Sequence, residues 1–522
     1  MPLQQIMNGI DVSVRPGKGS LREIPSPERG PFPGKGSLRD GTGKAPLPDL
    51  EITGLTHDSR QVVPGCLFVA LPGLHVQGLE FIPQALSNGA AAVAGPSPRP
   101  DTLMRPYIEV EDPPAAYSRM AANFYQHPSR RMSVTGITGT NGKTTTAEVL
   151  AAILRAHNLP TAIVGTLGLQ WEQTRQSIGF TTPEANQIHK IFRDLLDKEI
   201  QGVVMEVSSH ALKQRRVDDV DFNVAVFTNF TQDHLDYHPD MDDYLAAKLR
   251  LFHLLPADRP AVVNLDDPHA ERFIQAAPGP VITYSLGRDT GLSPTNRRGQ
   301  TGLWVTDMGL SLEVTVANLV YQGQAFAVES RLVGRYNLEN LLAATATALT
   351  LGIPVGAIQE GISAVTAIPG RLERISSTAR GRVFIDYAHT PDAYAKLLGT
   401  IRQLAPKETE IITLFGCGGD RDRTKRPLMA AEAETYSDRL IITSDNPRTE
   451  SLEQINADIL KGLSRNKHVV IDDRQEALLH ALGTMTDHSI LLILGKGRED
   501  YEVIGTEKNY HNDVEIVKTY RV

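Results

Sequence analysis

Apolar and polar positions divide this chain into blocks of different rhythm. Cys66–Leu71 (CLFVAL) reads as a strand, and Phe81–Gly95 (FIPQALSNGAAAVAG) as a helix followed by a strand. They form a small α/β block from Asp49 to about Asp112, punctuated by Pro96–Pro100 and Pro113–Pro114. From about Pro113 to Ala367, short β-rich runs alternate with longer helical patterns, which predicts a mainly parallel sheet with helices on its faces. MSVTGIT (Met132–Thr138), GVVMEVS (Gly202–Ser208) and VAVFTN (Val224–Asn229) read as strands, and TTTAEVLAAILRAH (Thr144–His157) carries an apolar stripe at helical spacing. Beyond Ile368, RVFIDYA, IITLFG, RLIITSD and ILLILG read as four buried strands separated by helical patterns. A polar motif follows each one: YAHTPDA, GCGGDRDRTKRP, DNPRTE and GKGRED. Open α/β sheets bind ligands at the carboxyl ends of their strands, so these motifs predict one shared site on that edge.

Residues 1–45 stand apart. Pro16–Arg22 (PGKGSLR) recurs unchanged at Pro33–Arg39, and the stretch is rich in Pro and Gly with few large apolar residues. It buries too little surface to offset its ordering entropy, so a disordered arm or insertion is expected over 1–45. A phosphate-binding role for the two GKGS copies is the weaker reading of the repeat.

Composition narrows the class. The chain has 522 residues, 41% of them hydrophobic and 22% charged, which suits several folded domains rather than a fibrous or disordered protein. A net charge of −8 lacks the broad basic surface of a dedicated nucleic-acid binder. Cys66 and Cys417 alone cannot make a disulfide framework and fit a reducing compartment. No apolar run of about 18 residues exists for a membrane span. The N-terminus shows no basic segment followed by an apolar stretch, so no secretory signal is expected. A cytoplasmic multi-domain α/β protein is the resulting expectation.

Gly136–Thr144 (GITGTNGKT) sits between a predicted strand and a predicted helix. Glycines there let backbone N–H groups point at a phosphate, and the helix N-terminus adds its dipole. Lys143 would reach the β/γ-phosphates and the Thr144 hydroxyl would hold Mg²⁺. Ile137 replaces the first glycine of the strict P-loop pattern. Glu206 (MEVSSHAL) and His234 (TQDHLDYH) follow strand ends and, with Thr144, are candidate Mg²⁺ ligands. His234 alone reads better as a hydrogen-bonded structural histidine. Lys248 (YLAAKLRLF) reads as a surface lysine on a helix. Asn-Pro in Asp445–Arg448 (DNPR) is a common turn starter, but Arg421 and Glu499 fall at neighbouring strand ends, and an arginine fork suits a carboxylate.

The set GITGTNGKTTT, TTPE, MEVSSHAL, TNFTQDHLDYH, AAKLRLF, GRYNLEN, PGRLE, DYAHTPDA, GCGGDRD, DNPRTE and GKGRED resembles the Mur ligases of peptidoglycan synthesis, from about Glu51 to the C-terminus. The resemblance implies an α/β fold with a three-domain Mur ligase architecture. A UDP-binding N-terminal domain would span 46–112, a central P-loop ATPase-like ATP-binding domain 113–367, and a C-terminal Rossmann-like amino-acid-binding domain 368–522. It implies a monomeric ligase that uses ATP and Mg²⁺ to join UDP-MurNAc-L-Ala-D-Glu to an amine through an acyl phosphate. DNPR is similar to the branch adding meso-diaminopimelate.

Site residues follow from the same resemblance. Gly139, Thr140, Asn141, Gly142, Lys143, Thr144 and Thr145 would hold the ATP phosphates, with Asn337, Asn340, Arg371 and Asp386 as further nucleotide contacts. Ser59, Leu74, His75 and Val76 would line the uridine-diphosphate pocket. Thr181, Thr182, Ser208, Gln214 and Arg216 match the muropeptide site. Arg421, Asp445, Asn446, Pro447, Arg448, Gly495 and Glu499 match the amine site. Glu206 and His234 resemble the magnesium ligands, and Lys248 the lysine that the family carbamylates. Three readings compete: another amide ligase of the superfamily (lysine-adding or folylpolyglutamate synthetase), a P-loop switch or motor NTPase, and a non-catalytic scaffold. The N-K-x-D base-reading motif of GTPases is absent, and the third block has no purpose in a switch.

Overall fold

A computed structural model describes residues 1–15, 47–73, 76–100, 103, 105–287 and 301–521. The two GKGS copies, Leu74 and His75 lie outside them. The chain divides into two compact units, one built from 1–133, 182–201 and 211–221, the other from 134–181, 202–210 and 222–522.

The first unit holds a five-stranded sheet, in the order Val12–Arg15, Tyr107–Val110, Ala92–Gly95, Cys66–Val69, Gly54–Thr56. Its outer strand comes from the segment expected to be a disordered arm. Val12–Arg15 pairs antiparallel with Tyr107–Val110, and the short helix Leu3–Ile6 precedes it. Leu3, Ile6 and Met7 are buried in the same core as Leu67, Val69 and Ile108. The arm reading therefore fails over residues 1–15, where MPLQQIM supplies apolar surface that the repeat lacks. The boundary expected at 112/113 also falls inside this unit. Helix Pro113–Phe124, capped by Asp112, buries Tyr117, Met120 and Ala121 in that core.

In the second unit the described residues form an eleven-stranded sheet. Its parallel centre runs Val281–Ser285, Ala261–Asn264, Val224–Phe227, Ser133–Thr138, Gly202–Glu206, Thr161–Gly165. Thr301–Leu310 continues the parallel order beside Val281–Ser285, and antiparallel pairing then extends that edge through Thr315–Tyr321 and Gln324–Ser330 and the other edge through Gly168–Trp171 and Thr174–Gln176. Helix Lys143–Ala156 buries Ala147, Leu150, Ile153 and Leu154 against the sheet and against helix Arg335–Thr350. A six-stranded sheet follows, ordered Glu373–Ile375, Arg382–Asp386, Ser489–Leu494, Glu410–Phe415, Arg439–Ile442, His468–Val470. Its inner pairs are parallel, so the strands carrying the four polar motifs all point their carboxyl ends to one edge.

Candidate functional site

The glycine-rich loop leaves strand Ser133–Thr138 and enters helix Lys143–Ala156. The end of strand Val224–Phe227 clamps it from the side. Asn229 accepts from the amides of Thr140 and Asn141 at 2.8 and 2.9 Å, and the Thr228 hydroxyl donates to the Asn141 carbonyl at 2.7 Å. Gly142 turns the loop with φ +86°; a Cβ there would lie 2.2 Å from Asn340 Oδ1, so this asparagine sits directly against the loop. Asn337 Nδ2 donates to the Val333 carbonyl on the same helix start at 2.8 Å. The fixed backbone is what a phosphate-binding loop requires.

Two lysines, Lys248 buried and Lys143 half-buried, converge on one atom. Lys143 Nζ and Lys248 Nζ each lie 2.8 Å from the Gly139 carbonyl oxygen, and Lys143 also donates to Thr140 O at 2.9 Å. Lys248 is 1% exposed on helix Met241–His253, which overturns its reading as a surface lysine. A helical pattern shows which residues share a face but not which tertiary neighbours meet it. Burial, then the positive charge of Lys143, push the Lys248 ammonium well below the usual lysine range. Burial also lowers Lys143, opposed by Glu206 and Asp233.

Glu206 ends strand Gly202–Glu206 and is buried. Its carboxylate accepts from the Thr144 hydroxyl at 3.0 Å and the Thr166 amide at 2.8 Å. Arg371 NH2 donates to the same Thr144 hydroxyl at 2.9 Å, and its guanidinium stacks 4.8 Å from the Tyr387 ring. A hydroxyl and a carboxylate at the loop's end are the oxygen donors Mg²⁺ takes, so Thr144 and Glu206 fit that ion. Asp386 faces backbone instead, accepting from the Leu372 and Ala388 amides, and burial raises its pKa.

His234 stands with Asp233, 3.4 Å from its carboxylate, and burial drops its pKa to about 3, so the imidazole is neutral near pH 7. Burial alone would raise Asp233, yet its carboxyl lies well below the usual range. With His234 neutral, Lys425 at 3.3 Å is the cation that holds it there. His389 approaches Asp233 at 3.6 Å, and Asn141 Nδ2 reaches Asp392 at 3.1 Å. Asp233, His389 and Lys425 were missed as site residues. All three lie inside motifs the sequence displays, but only the fold brings these motifs together.

At the carboxyl edge of the six-stranded sheet, Asp445–Arg448 and Gly495–Glu499 meet. Asn446 Nδ2 donates to Glu499 Oε2 at 2.9 Å. Arg448 adopts φ +51° and donates to the Gly419 carbonyl at 2.7 Å. Among the described residues its guanidinium meets only carbonyl acceptors, and burial and then Arg421 lower its pKa. Arg421 is half exposed, 3.6 Å from Asp236. Gly419 packs beneath the Pro447 carbonyl, where a Cβ would lie 1.8 Å away. The geometry leaves an arginine without a carboxylate beside two carboxylates, Asp445 and Glu499.

In the first unit, Ser59 is buried and its hydroxyl donates to Gln84 at 2.6 Å, while Val76 is exposed. Arg216 reaches Gln214 at 2.9 Å, the Thr182 carbonyl at 2.8 Å and Glu184 at 2.7 Å. In the second, the Thr181 hydroxyl bonds Thr166 at 3.2 Å and Ser208 is half-buried two residues past Glu206.

Comparison with known proteins gives three family matches: Mur ligase family, catalytic domain (residues 51–125); Mur ligase middle domain (137–348); and Mur ligase, glutamate ligase domain (370–497). A Gloeobacter violaceus protein named UDP-N-acetylmuramoyl-L-alanyl-D-glutamate–2,6-diaminopimelate ligase is 43% identical, over 91% of this chain and 95% of its own. The Syntrophomonas wolfei protein of the same name is 40% identical, over 90% and 93%. A solved structure of a ligase with that name is 33% identical with a TM-score of 0.61, covering 89% of this chain and 94% of its own.

Proposed function

The chain belongs to the Mur ligase family, and from that premise we propose that it is the ATP-dependent ligase that adds meso-diaminopimelate to UDP-MurNAc-L-Ala-D-Glu. A carboxylate resists attack by an amine because oxide is a poor leaving group. Transfer of the γ-phosphoryl group of ATP onto the D-Glu side-chain carboxylate gives an acyl phosphate. The amine then attacks its carbonyl carbon, the C–O bond to phosphate breaks, and phosphate leaves. Positioning and charge neutralisation carry such reactions.

The loop Gly139–Thr145 cradles the phosphates, and Lys143 turns from the Gly139 and Thr140 carbonyls toward the transferring group. Asn337, Asn340, Arg371 and Asp386 hold the nucleotide side. Thr144, Glu206 and the neutral imidazole of His234 would hold Mg²⁺, which supplies charge neutralisation of phosphoryl oxygens when bound. Lys248 carries a carbamate: only a neutral amine attacks CO₂, and its burial beside Lys143 favours that form. Carbamylation replaces one of two crowded cations with an anion. Ser59, Leu74, His75 and Val76 take the uridine diphosphate, and Thr181, Thr182, Ser208, Gln214 and Arg216 the muropeptide. The enzyme works as a monomer in the cytoplasm.

One observation favours this amine over lysine. Among the described residues Arg448 is half-buried and bonded only to carbonyls, beside Asp445 and Glu499. At its distal end diaminopimelate offers the carboxylate that Arg448 lacks and an ammonium for the two acids; the distal end of lysine offers only the ammonium. The test of the reaction uses UDP-MurNAc-L-Ala-D-Glu labelled with ¹⁸O in the D-Glu carboxylate. One label should appear in the released phosphate during ligation. Phosphate free of label would refute the acyl phosphate.

A further inference from the structure

Lys496 belongs to none of the roles above, yet it is completely buried. Its Nζ donates to Asn446 Oδ1 at 3.1 Å and to the Tyr501 carbonyl at 2.8 Å, and lies 3.8 Å from Asp445 Oδ1. A buried lysine is costly unless its charge is paired and its donors are used, so this one must be held by what it organises.

What it organises is the turn that carries Arg448. Tyr501 opens a two-stranded hairpin, Tyr501–Ile504 with Glu507–Tyr510. The hairpin holds both backbone groups of Arg448: the Arg448 amide donates to Val503 O at 2.9 Å, and the Gly505 amide donates to Arg448 O at 2.7 Å. It also grips Asn446, whose Oδ1 accepts from the Val503 amide at 2.9 Å. Asn446 Oδ1 thus receives two donors, one from the hairpin and one from Lys496, while its Nδ2 fixes Glu499. Arg448 holds a left-handed φ that an arginine does not prefer, so its aim depends on these restraints. Gly495 lets the chain pass against Asp445; with φ +105°, a Cβ there would lie 2.4 Å from Asp445 Oδ2. That close passage brings the Lys496 cation to 3.8 Å from Asp445 Oδ1, and its charge also lowers the Glu499 carboxyl.

We propose that Lys496 is the positioning residue of the amine site: by tying Asn446 to the hairpin and balancing the charge of Asp445 and Glu499, it sets the selection of a diamino-dicarboxylic acid over a monocarboxylic diamine. The inference rests on the ligase reading above. Without Lys496 less positive charge offsets the two acids, and Glu499, already raised by burial and by Asp445, moves further toward the protonated form that cannot accept from an ammonium. At the same time the Asn446 carbonyl oxygen and the Tyr501 carbonyl lose their shared donor, and the hairpin loosens its hold on Arg448.

Lys496→Met, nearly equal in shape, tests this through two readouts. The first is kcat/KM and KM for meso-diaminopimelate and L-lysine. Loss of a charged hydrogen bond of about 1.5–3 kcal/mol should raise KM for diaminopimelate at least ~tenfold and reduce the preference over lysine comparably. The second is trapping with hydroxylamine, which attacks the acyl phosphate carbonyl, expels phosphate and leaves a hydroxamate without using the amine site. Hydroxamate formation from ATP and UDP-MurNAc-L-Ala-D-Glu should stay within about twofold of wild type, as should KM for both. An unchanged KM and preference would overturn the proposal. So would loss of hydroxamate formation together with ligation, since Lys496 would then support the fold at large. A wild-type protein that used lysine as readily as diaminopimelate would refute the substrate reading instead; KM for whichever amine it uses then remains the readout for Lys496.

Discussion

The phosphate loop and the DNPR turn both gather buried charge, but they hold it in opposite ways. At the loop, two lysines lean on one carbonyl oxygen of Gly139, and Glu206 and Asp233 offset their charge. At the turn, charged groups are held by defined partners: Lys496 and Glu499 both bond Asn446, and behind them Arg474 pairs with Asp513. In the reading proposed above, the loop is arranged to accept the phosphates of ATP. The turn is held by many hydrogen bonds and, among the described residues, leaves Arg448 without a carboxylate. Activation is thus built from unspent positive charge, and selection from a fixed lattice with a single gap in it.

The two ends should therefore fail differently. Arg474 is buried and ties together the strand ends that carry both amine-site motifs, donating to Ser444 O at 2.9 Å and Leu494 O at 3.2 Å. Breaking its pair by Asp513→Ala strands a buried charge, and chemical denaturation should show a loss of about 3–5 kcal/mol. The pair also gives a pH signature. Burial alone would raise Asp513, yet Arg474 and His511 hold it below its ordinary 3.8. Its stabilisation is complete above that value and is lost as pH falls below it, a loss that Asp513→Ala should abolish.

At the loop the damage should be kinetic. Lys143→Ala should cost about 2.7–4 kcal/mol of transition-state stabilisation, a fall of ~10²–10³ in ligation rate, with stability little changed. A folded variant within about twofold of wild type would remove the loop's assigned role. Lys248 sharpens the same point. Burial and the Lys143 charge depress its pKa, which favours the neutral amine at pH values below the ordinary 10.5, so carbamylation should set in at lower pH than for an exposed lysine. Carbon-13 NMR under labelled bicarbonate should show a carbamate signal that Lys248→Ala lacks; a signal growing only toward pH 10 would contradict it. The smallest effect belongs to Arg421, half exposed and only 3.6 Å from Asp236. Arg421→Ala should raise KM for diaminopimelate by roughly 0.2–1 kcal/mol, up to about fivefold.

Much of this contrast was legible in the chain. The strand–loop–helix around Lys143 lies within a residue of its expected bounds, because glycine spacing and apolar periodicity both mark it. The four carboxyl-terminal strands and their polar motifs were equally plain, since buried parallel strands read as continuous apolar runs. What escaped depends on partners distant in sequence. Lys248 carries no local sign of burial. Asp233 gains its meaning from Lys425, 192 positions away. The hairpin Tyr501–Tyr510 is short and mostly polar, so periodicity gave no signal for it, yet it fixes the backbone of Arg448. The opening helix and strand were hidden by the repeat that follows them.

Selection of the amine by Arg448 is the central claim, and kcat/KM for meso-diaminopimelate and L-lysine in the wild type and in Arg448→Ala tests it most directly. A site built to bond a group can reject an analogue lacking it by about 10⁴, and most of that preference should vanish in the variant, through weaker use of diaminopimelate. Comparable wild-type values for the two amines, or a preference that survives Arg448→Ala, would contradict the account.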